Sequence, residues 1–363
     1  MSKRHNILLF QLLCQFFACN GDNGKGLLLP PLRSFSEELN MKLGACGNAG
    51  LLQTDLYNTT LSSQYNLITA ENACKFGSTQ PSRGVFTWDG CDEVLAFAEA
   101  NEMSFREHNL GAWGNQVPDW VTDGGFDEGE LRGILEEQIQ AVVGRYGDRA
   151  VAYDVVNEAI SDDGEFGRTG DVFKENVWYP ALKDYVDFSF QVAKEALGDG
   201  KAKLFYNDYN IGSMEGWSQG KSDRVYEMVK DMVGRGIPID GVGLQMHVDS
   251  DYNLSIKSNM ERYCDLGLIV HITELDISCK SENGCEWNDE AEERQGNLYA
   301  TLLQECIDTT CCSNFETWGF TDSYSWMNTE DENAHPLPFD EEYKPKKAVE
   351  KMVQVLQDAT TLK

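Results

Sequence analysis

Short runs of β-branched and aromatic residues alternate with longer amphipathic segments along most of this chain. Each run is followed by a loop and then by a stretch with helical spacing. This alternation predicts repeated strand-then-helix units. The eight predicted strands cover residues 42–47, 67–72, 104–110, 151–158, 203–209, 241–248, 269–277 and 315–322.

The segments between the strands are predicted to be helices. The clearest covers residues 131–147, where Leu131, Ile139 and Val143 belong to one apolar face at helical spacing. The other predicted helices cover residues 89–102, 176–197, 222–236, 256–267, 290–308 and 344–359.

Repeated strand-then-helix order determines the fold class. It requires parallel strands joined by right-handed crossovers, and eight such units close most simply into a barrel. The alternative is an open nucleotide-binding sheet, but no glycine-rich phosphate-binding turn follows any predicted strand. No linker, repeat or low-complexity tract divides the chain. The sequence therefore predicts the α/β class, with a single (β/α)8 TIM barrel.

Polar residues stand at the ends of most predicted strands, which form the catalytic face of a TIM barrel. In the sixth strand, Leu244 alternates with Gln245 and His247, and the period of two sends apolar and polar residues to opposite faces. The seventh strand repeats this with Glu274 and Asp276. A satisfied core network is the alternative for one strand, but it does not explain the whole set. The polar side chains are expected to meet at the barrel mouth.

Composition and charge narrow the range of partners. The 363 residues are 41% hydrophobic, which is enough for a large core. Sixty Asp and Glu against 30 Lys and Arg give a net charge of −30. This charge repels the nucleic-acid backbone and anionic membrane surfaces. We expect no nucleic-acid partner and no membrane partner.

Residues 1–20 have the pattern of a signal peptide. Lys3 and Arg4 precede an apolar stretch that is too short to span a bilayer, and a polar, glycine-rich segment follows. A buried first helix is the alternative. We expect cleavage and a secreted, extracellular protein. Cleavage would remove Cys14 and Cys19 and leave nine of the eleven cysteines, so one thiol must stay unpaired.

Closely spaced cysteines could form disulfides in an oxidising compartment. Cys279 could pair with Cys285, and Cys306 with either Cys311 or Cys312, while free buried thiols are the alternative. The cysteine and histidine spacing matches no zinc motif. No metal and no cofactor are predicted.

The predicted barrel mouth combines two carboxylates with amides, histidines and tryptophans. Glycoside hydrolysis uses one carboxyl group as acid/base and a second as nucleophile or base. Flat aromatic side chains fit the C–H faces of sugar rings, while Asn, Gln and His can bind hydroxyl groups. Glycoside hydrolysis is therefore the reaction that this set of residues fits best.

Several motifs resemble those of the glycoside hydrolase family 10 xylanases, from about Leu32 to Val355. YDVVNEA (153–159) is similar to the acid/base motif of the family, and ITELDI (272–277) is similar to its nucleophile motif. The resemblance implies that Glu158 is the acid/base and Glu274 the nucleophile. It also implies that Asn157 binds the 2-hydroxyl group of the sugar.

Other segments extend the resemblance, namely ENACK (71–75), QPSRGVF (80–86), LFYNDYN (204–210), GLQMHV (243–248), WGFTDSYSW (318–326) and FDEEYKPKKA (339–348). It implies that Asn207 supports the active site and that Asp276 holds His247 against the nucleophile. It also implies a Cys306–Cys312 disulfide, with Cys311 as the unpaired thiol. The implied substrate-binding residues are Glu71, Asn72, Lys75, His108, Trp113, Gln116, Asn157, Tyr209, Gln245, His247, Trp318 and Trp326.

The segment REHNLGAWGNQVPDW (106–120) departs from the family pattern. His108 and Trp113 are five residues apart rather than four, and Glu107 stands where the family has glycine. The histidine that follows the tryptophan in the family is also missing. A milder change is Tyr153, which replaces a tryptophan.

Together, the motifs predict a secreted endo-β-1,4-xylanase that hydrolyses internal bonds of xylan with retention of configuration. The catalytic domain is predicted to cover residues 28–360, and the partners are xylan and xylo-oligosaccharides, bound by a monomer. A β-1,4-glucanase with a similar barrel is the enzymatic alternative. A second alternative is a non-catalytic carbohydrate-binding barrel. Such a protein is expected to have lost one of the two carboxylates, but both Glu158 and Glu274 are present.

Overall fold

The computed structural model describes residues 29–162, 172–280, 283–329, 331 and 333–361. The predicted signal peptide of residues 1–20, with Cys14 and Cys19, lies outside these residues. From Pro31 onward, the described residues form one compact unit.

Eight parallel strands close into a barrel, which confirms the predicted (β/α)8 fold. The hydrogen-bonded order runs β6-β5-β4-β3-β2-β1-β9-β8, and β6 pairs with β8 to close the ring. The short strand β7 continues the line of β6 and also pairs with β8. The strands are β1 (Lys42–Gly47), β2 (Leu67–Ala70), β3 (Ser104–Glu107), β4 (Ala150–Asn157), β5 (Lys203–Asp208), β6 (Gly241–Leu244), β7 (His247–Asp249), β8 (Ile269–Ser278) and β9 (Cys312–Thr317).

Helices connect the strands in the described part of the chain. The longer ones are α1 (Asp55–Gln64), α2 (Asp89–Ala100), α3 (Glu128–Tyr146), α4 (Tyr185–Leu197), α5 (Gln219–Arg235), α6 (Lys257–Asp265), α7 (Asp289–Ile307) and α8 (Lys347–Thr361). Short helices of four residues cover Ser36–Leu39, Phe76–Thr79 and Asp119–Thr122. Helix α3 begins with a capping box, because the side chains of Asp127 and Glu130 each accept the other's backbone N–H.

Helix α1 was not predicted. Its sequence, DLYNTTLSSQ, is mostly polar or β-branched, and only Tyr57 and Leu61 are buried. Two buried residues, four positions apart, give little periodic signal in the sequence. The helix forms the crossover between β1 and β2 that a parallel barrel requires. This requirement comes from the fold and cannot be recognised in the sequence of the helix itself.

Two predicted elements have different limits in the structure. The sixth strand was predicted as one run over 241–248, but Met246 has a φ of 65°, which interrupts the strand after Leu244. The helix predicted over 176–197 begins only at Tyr185. In the preceding segment, Pro180 lacks a backbone donor, and the Asn176 side chain accepts hydrogen bonds from two backbone N–H groups.

Four disulfides occur among the described cysteines, and they correct one prediction. The predicted Cys279–Cys285 and Cys306–Cys312 pairs are both present. Cys311, which was expected to be the unpaired thiol, instead bonds Cys264 across a separation of 47 residues. Sequence spacing does not reveal that the loop before β9 lies beside the end of α6.

The remaining described cysteines belong to the amino-terminal part of the chain, in and after β1 and β2. Cys74 pairs with Cys91. Cys46, in β1, is buried and is the free cysteine among the described residues. The unpaired thiol therefore exists, but at a different position from the predicted one.

None of the described helices combines the length and the apolar character that crossing a membrane requires.

Candidate active site

The carboxyl ends of the strands surround a cleft of about 430 Å³. Its lining coincides with the fourteen residues that the sequence predicted as catalytic or substrate-binding. Asn207 and Asp276, which were predicted as supporting residues, contact lining residues from behind. The lining residues are Glu71, Asn72, Lys75, His108, Trp113, Gln116, Asn157, Glu158, Tyr209, Gln245, His247, Glu274, Trp318 and Trp326.

Glu158 lies directly after β4. Its φ of 53° turns the chain at this point, and its backbone N–H donates to the carbonyl of Asn207 at 2.9 Å. Its carboxylate accepts hydrogen bonds from Trp113 Nε1 at 3.0 Å, Gln245 Nε2 at 3.1 Å and Asn157 Nδ2 at 3.3 Å. The side chain is partly exposed to the cleft. Glu158 is thus held in place while its carboxyl group stays accessible.

Glu274, in β8, has a more enclosed carboxylate. Its Oε1 accepts a hydrogen bond from Asn207 Nδ2 at 2.6 Å, and its Oε2 lies 3.4 Å from His247 Nε2. Burial alone would raise the pKa of Glu274, but the hydrogen bond and charge of His247 oppose it, with contributions from His108 and Asn207. Together they lower the pKa to about 2. Glu274 is therefore a carboxylate anion throughout the neutral range.

His247 is oriented by a second carboxylate. Its Nδ1 lies 2.9 Å from Asp276 Oδ2, and the same oxygen accepts a hydrogen bond from Trp326 Nε1 at 2.8 Å. Burial lowers the pKa of His247, but the Asp276 carboxylate and the contact with Glu274 outweigh this effect and raise it to about 10. The imidazole is therefore charged at neutral pH, with one N–H directed at each carboxylate.

A chain of amide side chains connects the two glutamates. Asn207 Nδ2, which binds Glu274, also donates to Asn157 Oδ1 at 2.9 Å. Gln245 Nε2 lies 3.3 Å from the same Asn157 oxygen and 3.1 Å from Glu158 Oε1. Strand pairing brings Asn157 directly opposite Asn207. The barrel register thus fixes the relative placement of the two carboxylates.

The end of β2 supplies the opposite wall of the cleft. Lys75 Nζ donates to Asn72 Oδ1 at 3.0 Å and lies 5.2 Å from the ring centre of Trp113 and 5.6 Å from that of Trp318. Burial lowers the pKa of Lys75 and raises the pKa of Glu71. These side chains form a polar wall flanked by aromatic faces, which is suited to a neutral polyhydroxylated ligand.

His108, at the end of β3, is held from inside the barrel. Its Nδ1 lies 2.9 Å from Asp154 Oδ2. Asp154 also binds both terminal nitrogens of Arg106, at 2.5 and 2.8 Å. All three side chains are buried. The bidentate ion pair fixes the histidine ring at the floor of the cleft.

The five-residue spacing from His108 to Trp113 still brings the indole into the cleft. Gly111, with a φ of 94°, provides the turn, and a β-bridge joins Ala112 to Val156 of β4. The carbonyl of Trp113 accepts a hydrogen bond from Trp178 Nε1 at 3.0 Å. The extra residue is therefore accommodated in the loop.

Two side chains near the cleft were not predicted. Lys174 Nζ lies 3.8 Å from Glu158 Oε2 and donates to the hydroxyl of Tyr209 at 2.9 Å. Asn48 Nδ2 donates to Glu71 Oε2 at 3.0 Å. Neither belongs to a motif recognised in the sequence, and only the closure of the barrel brings them to the site.

Outside the cleft, one group among the residues that the structure describes has the composition of a metal site. Asp322, His335 and Glu341 place one ligand atom each within 4.8 Å of one another. However, Lys346 Nζ lies 2.8 Å from Asp322 Oδ2 and also donates to the carbonyls of His335 and Leu337. The lysine ammonium already neutralises the buried carboxylate, so the group is explained as a structural ion pair.

Two carboxylates of unlike environment at the mouth of a (β/α)8 barrel are the arrangement with which glycoside hydrolases cleave sugar chains. A sequence model of glycosyl hydrolase family 10 matches residues 32–355. The chain belongs to this family, which confirms the resemblance seen in the motifs.

The relatives agree in name and in structure. Endo-1,4-beta-xylanase B from Thermotoga neapolitana is 35% identical over 324 residues, which cover 87% of this chain and 88% of the relative. The crystal structure of xylanase 10B from Thermotoga maritima superimposes with a TM-score of 0.84 at 32% identity, over 92% of this chain and 100% of that one. Xylanase 10B from Thermotoga petrophila, in complex with xylobiose, has the same TM-score and identity, over 94% of this chain and 100% of that one.

Proposed function

We propose that this chain is a secreted endo-1,4-β-xylanase that acts with retention of configuration. Relatives over most of its length are named endo-1,4-beta-xylanases, and one solved neighbour holds xylobiose. The observation that carries the proposal is the contrast between two glutamates in one cleft. Glu274 is enclosed and held as an anion by Asn207 and His247. Glu158 is more exposed to the cleft, where it accepts hydrogen bonds from Trp113 and Gln245 and lies 3.8 Å from Lys174 Nζ.

The first step assigns one role to each carboxyl group. Glu158 acts as the general acid and donates a proton to the glycosidic oxygen of the leaving chain. Glu274 attacks the anomeric carbon from the other side, the bond to the leaving oxygen breaks, and a glycosyl ester forms. The ionised state of Glu274 suits this role because its electron pair is already available for attack.

The second step returns both groups to their starting states. Glu158, now a carboxylate, accepts a proton from water while the water oxygen attacks the anomeric carbon and releases Glu274. Two displacements at the same carbon restore the original configuration. Asn157, between the two glutamates, is placed to bind the 2-hydroxyl group, a bond that strengthens in the transition state.

The shape of the wall near β2 supports xylan over cellulose. Glu71, Asn72 and Lys75 at this wall, and Trp326 after β9, line the cleft. We infer that they fill the space that a glucose hydroxymethyl group would need. Xylose lacks this group. The alternative, a β-1,4-glucanase, needs more room at this wall.

Secretion and the domain limits are also proposals. Four disulfides in the described residues are typical of proteins exported to an oxidising compartment. We infer that residues 1–20 direct export, that residues 28–360 form the catalytic domain and that the enzyme acts as a monomer.

The test is reducing-sugar release from xylan and from carboxymethylcellulose by the parent and by the variants Glu158→Ala and Glu274→Ala. We expect activity on xylan that collapses in both variants and persists in Glu137→Ala, an exposed glutamate on α3. NMR of the first product should show the β-anomer. A parent that binds xylan without cutting it, or that prefers carboxymethylcellulose, would overturn the proposal.

Azide separates the two roles in the inactive variants. In Glu158→Ala, azide can attack the glycosyl ester without general-base help, so a β-glycosyl azide is expected from a substrate with a good leaving group. In Glu274→Ala, azide can replace the missing nucleophile directly, and the product is the α-glycosyl azide. The opposite products would reverse the assigned roles.

A further inference from the structure

Trp217 is the most exposed large hydrophobic side chain among the described residues, with 62% of its surface in contact with solvent. It lies between β5 and α5, eight residues after Tyr209. Burial of an aromatic side chain is favourable, so an indole left in water contributes little to the stability of the fold. The exposed indole is therefore available to contact a ligand.

The loop that carries Trp217 is fixed by hydrogen bonds. Ser218 Oγ donates to the carbonyl of Asn210 at 3.0 Å and accepts from the backbone N–H of Ser213 at 3.2 Å. The buried Asn259 Nδ2 donates to the carbonyls of Ile211 and Gly212, at 2.6 and 3.1 Å. The backbone under the indole is therefore held in one conformation, which lowers the entropy cost of binding a ligand there.

A neighbouring loop supports the indole ring. Tyr252, which follows β7, meets Trp217 edge to face, with ring centres 6.2 Å apart and planes at 78°. Gly216, with a φ of 58°, lies close to the side chain of Leu254 from the same neighbouring loop. This contact orients Trp217 and leaves most of it open to solvent.

The two loops lie at the same end of the barrel as the cleft, because each follows the carboxyl end of a strand. Tyr209 lines the cleft and is connected to Glu158 through Lys174. Since Glu158 protonates the leaving oxygen, the leaving part of the substrate lies on the β4 and β5 side. Trp217 follows Tyr209 along the chain on this side.

We propose that Trp217 forms an outer sugar-binding subsite for the leaving part of a β-1,4-xylan chain. This inference rests on the proposed function. The indole provides a flat apolar face on which the C–H face of a xylose ring can pack. A shorter xylan chain, which ends nearer to Glu158, does not reach the indole.

The surroundings favour a neutral ligand. The net charge of the chain is −30, and the exposed residues Glu215 and Asp251 flank the two aromatic residues in sequence. An anionic partner, or a second copy of this chain, would bring like charges together at this place. A neutral polysaccharide that extends from the cleft at the same end of the barrel meets no such penalty.

The test compares substrates of different length with the variants Trp217→Ala and Trp217→Phe of the full enzyme. For Trp217→Ala, we expect kcat/KM to fall about tenfold on xylo-octaose, the effect of losing one partly buried aromatic contact. On xylotriose we expect no change. Trp217→Phe should keep most of the activity on xylo-octaose, because a flat ring remains.

The matched control is Val151→Ala, which truncates an exposed apolar residue near the amino-terminal end of β4, at the opposite end of the barrel. It should leave both substrates unaffected. Equal losses on short and long substrates in Trp217→Ala, or no loss on either, would overturn the subsite. If Trp217→Ala changed the oligomeric state and left the kinetics unchanged, the subsite would also be overturned, and Trp217 would instead form a contact between protein chains. A parent inactive on xylan would instead refute the proposed function.

Discussion

The substitution Glu107→Leu tests whether a buried carboxyl group weakens this fold. Glu107 is fully buried in β3, and neither of its carboxyl oxygens has a hydrogen-bond partner among the described residues. Its neighbours in the strand, Arg106 and His108, both bind Asp154 inside the barrel. Strand alternation therefore turns Glu107 outward, into the layer between the barrel and its helices. Burial, together with the charge of Asp154, holds its pKa well above the usual value.

The expected gain follows from the cost of an unsatisfied buried polar group. That cost is about 1–3 kcal/mol, and leucine is similar in size and has no polar atom to satisfy. We therefore expect Glu107→Leu to raise the free energy of unfolding by about 2 kcal/mol. For a domain of roughly 330 residues, the entropy of unfolding is about 0.7 kcal/mol/K, so Tm should rise by about 3 °C.

The gain should depend on pH in a defined direction. The unfolded chain releases the Glu107 proton near the ordinary pKa of about 4.3, whereas the folded protein retains it to higher pH. Stability of the parent therefore falls as pH rises from about 4 toward the folded pKa, by up to about 1.4 kcal/mol per pH unit. The advantage of Glu107→Leu should be larger at about pH 7 than at about pH 4.

Thermal melts of the parent and the variant at both pH values provide the measurement. Glu137→Leu is the matched control, because it makes the same change at an exposed position on α3 and should show no pH-dependent gain. A lower Tm for Glu107→Leu, or a gain that is equal at both pH values, would refute the reasoning.

Three further predictions follow from the site and the disulfides. His247→Gln removes a charge and a hydrogen bond from Glu274, so the pKa of Glu274 should rise from about 2 toward the ordinary value. The acid limb of the pH profile of kcat/KM should therefore move to higher pH. An acid limb that does not move would contradict this prediction. Asn157→Ala should lower kcat by about tenfold or more with little change in KM, since the lost bond acts in the transition state; steady-state kinetics on xylan showing only a raised KM would oppose it. Replacing Cys264 and Cys311 with serine opens a 47-residue loop and should lower the free energy of unfolding by about 4 kcal/mol. The midpoint of urea unfolding should fall accordingly, and an unchanged midpoint would argue against this pairing.

The barrel was predictable because its signals are local and repeated. Each strand from β1 to β9 lies within or close to a predicted run, apart from the break at Met246. The starting point of α4 was not predictable from apolar periodicity alone, because Pro180 and the Asn176 side chain impose turns in a segment that is otherwise helical in pattern. Helix α1 was missed because only two of its residues are buried, so its sequence carries little helical periodicity.

The cleft was predictable residue by residue because motif and topology agree. The barrel places every strand end at one face, so residues named from separate motifs, such as Glu71 and Trp326, line the same cleft. Lys174 was missed because it lies in a long connection after β4, and no local pattern says that its ammonium reaches Glu158.

The amino-acid sequence alone determined the fold class, the family and the set of side chains in the cleft, since alternation and motif spacing are properties of short segments. Only the tertiary structure decided which of the described cysteines pair and that Cys46 is the free one among them. It also decided that Glu107 is buried with no hydrogen-bond partner in the described part of the chain. It also decided the unlike surroundings of Glu158 and Glu274. These properties depend on distances between segments far apart in the chain, which the packing of the barrel and its helices sets.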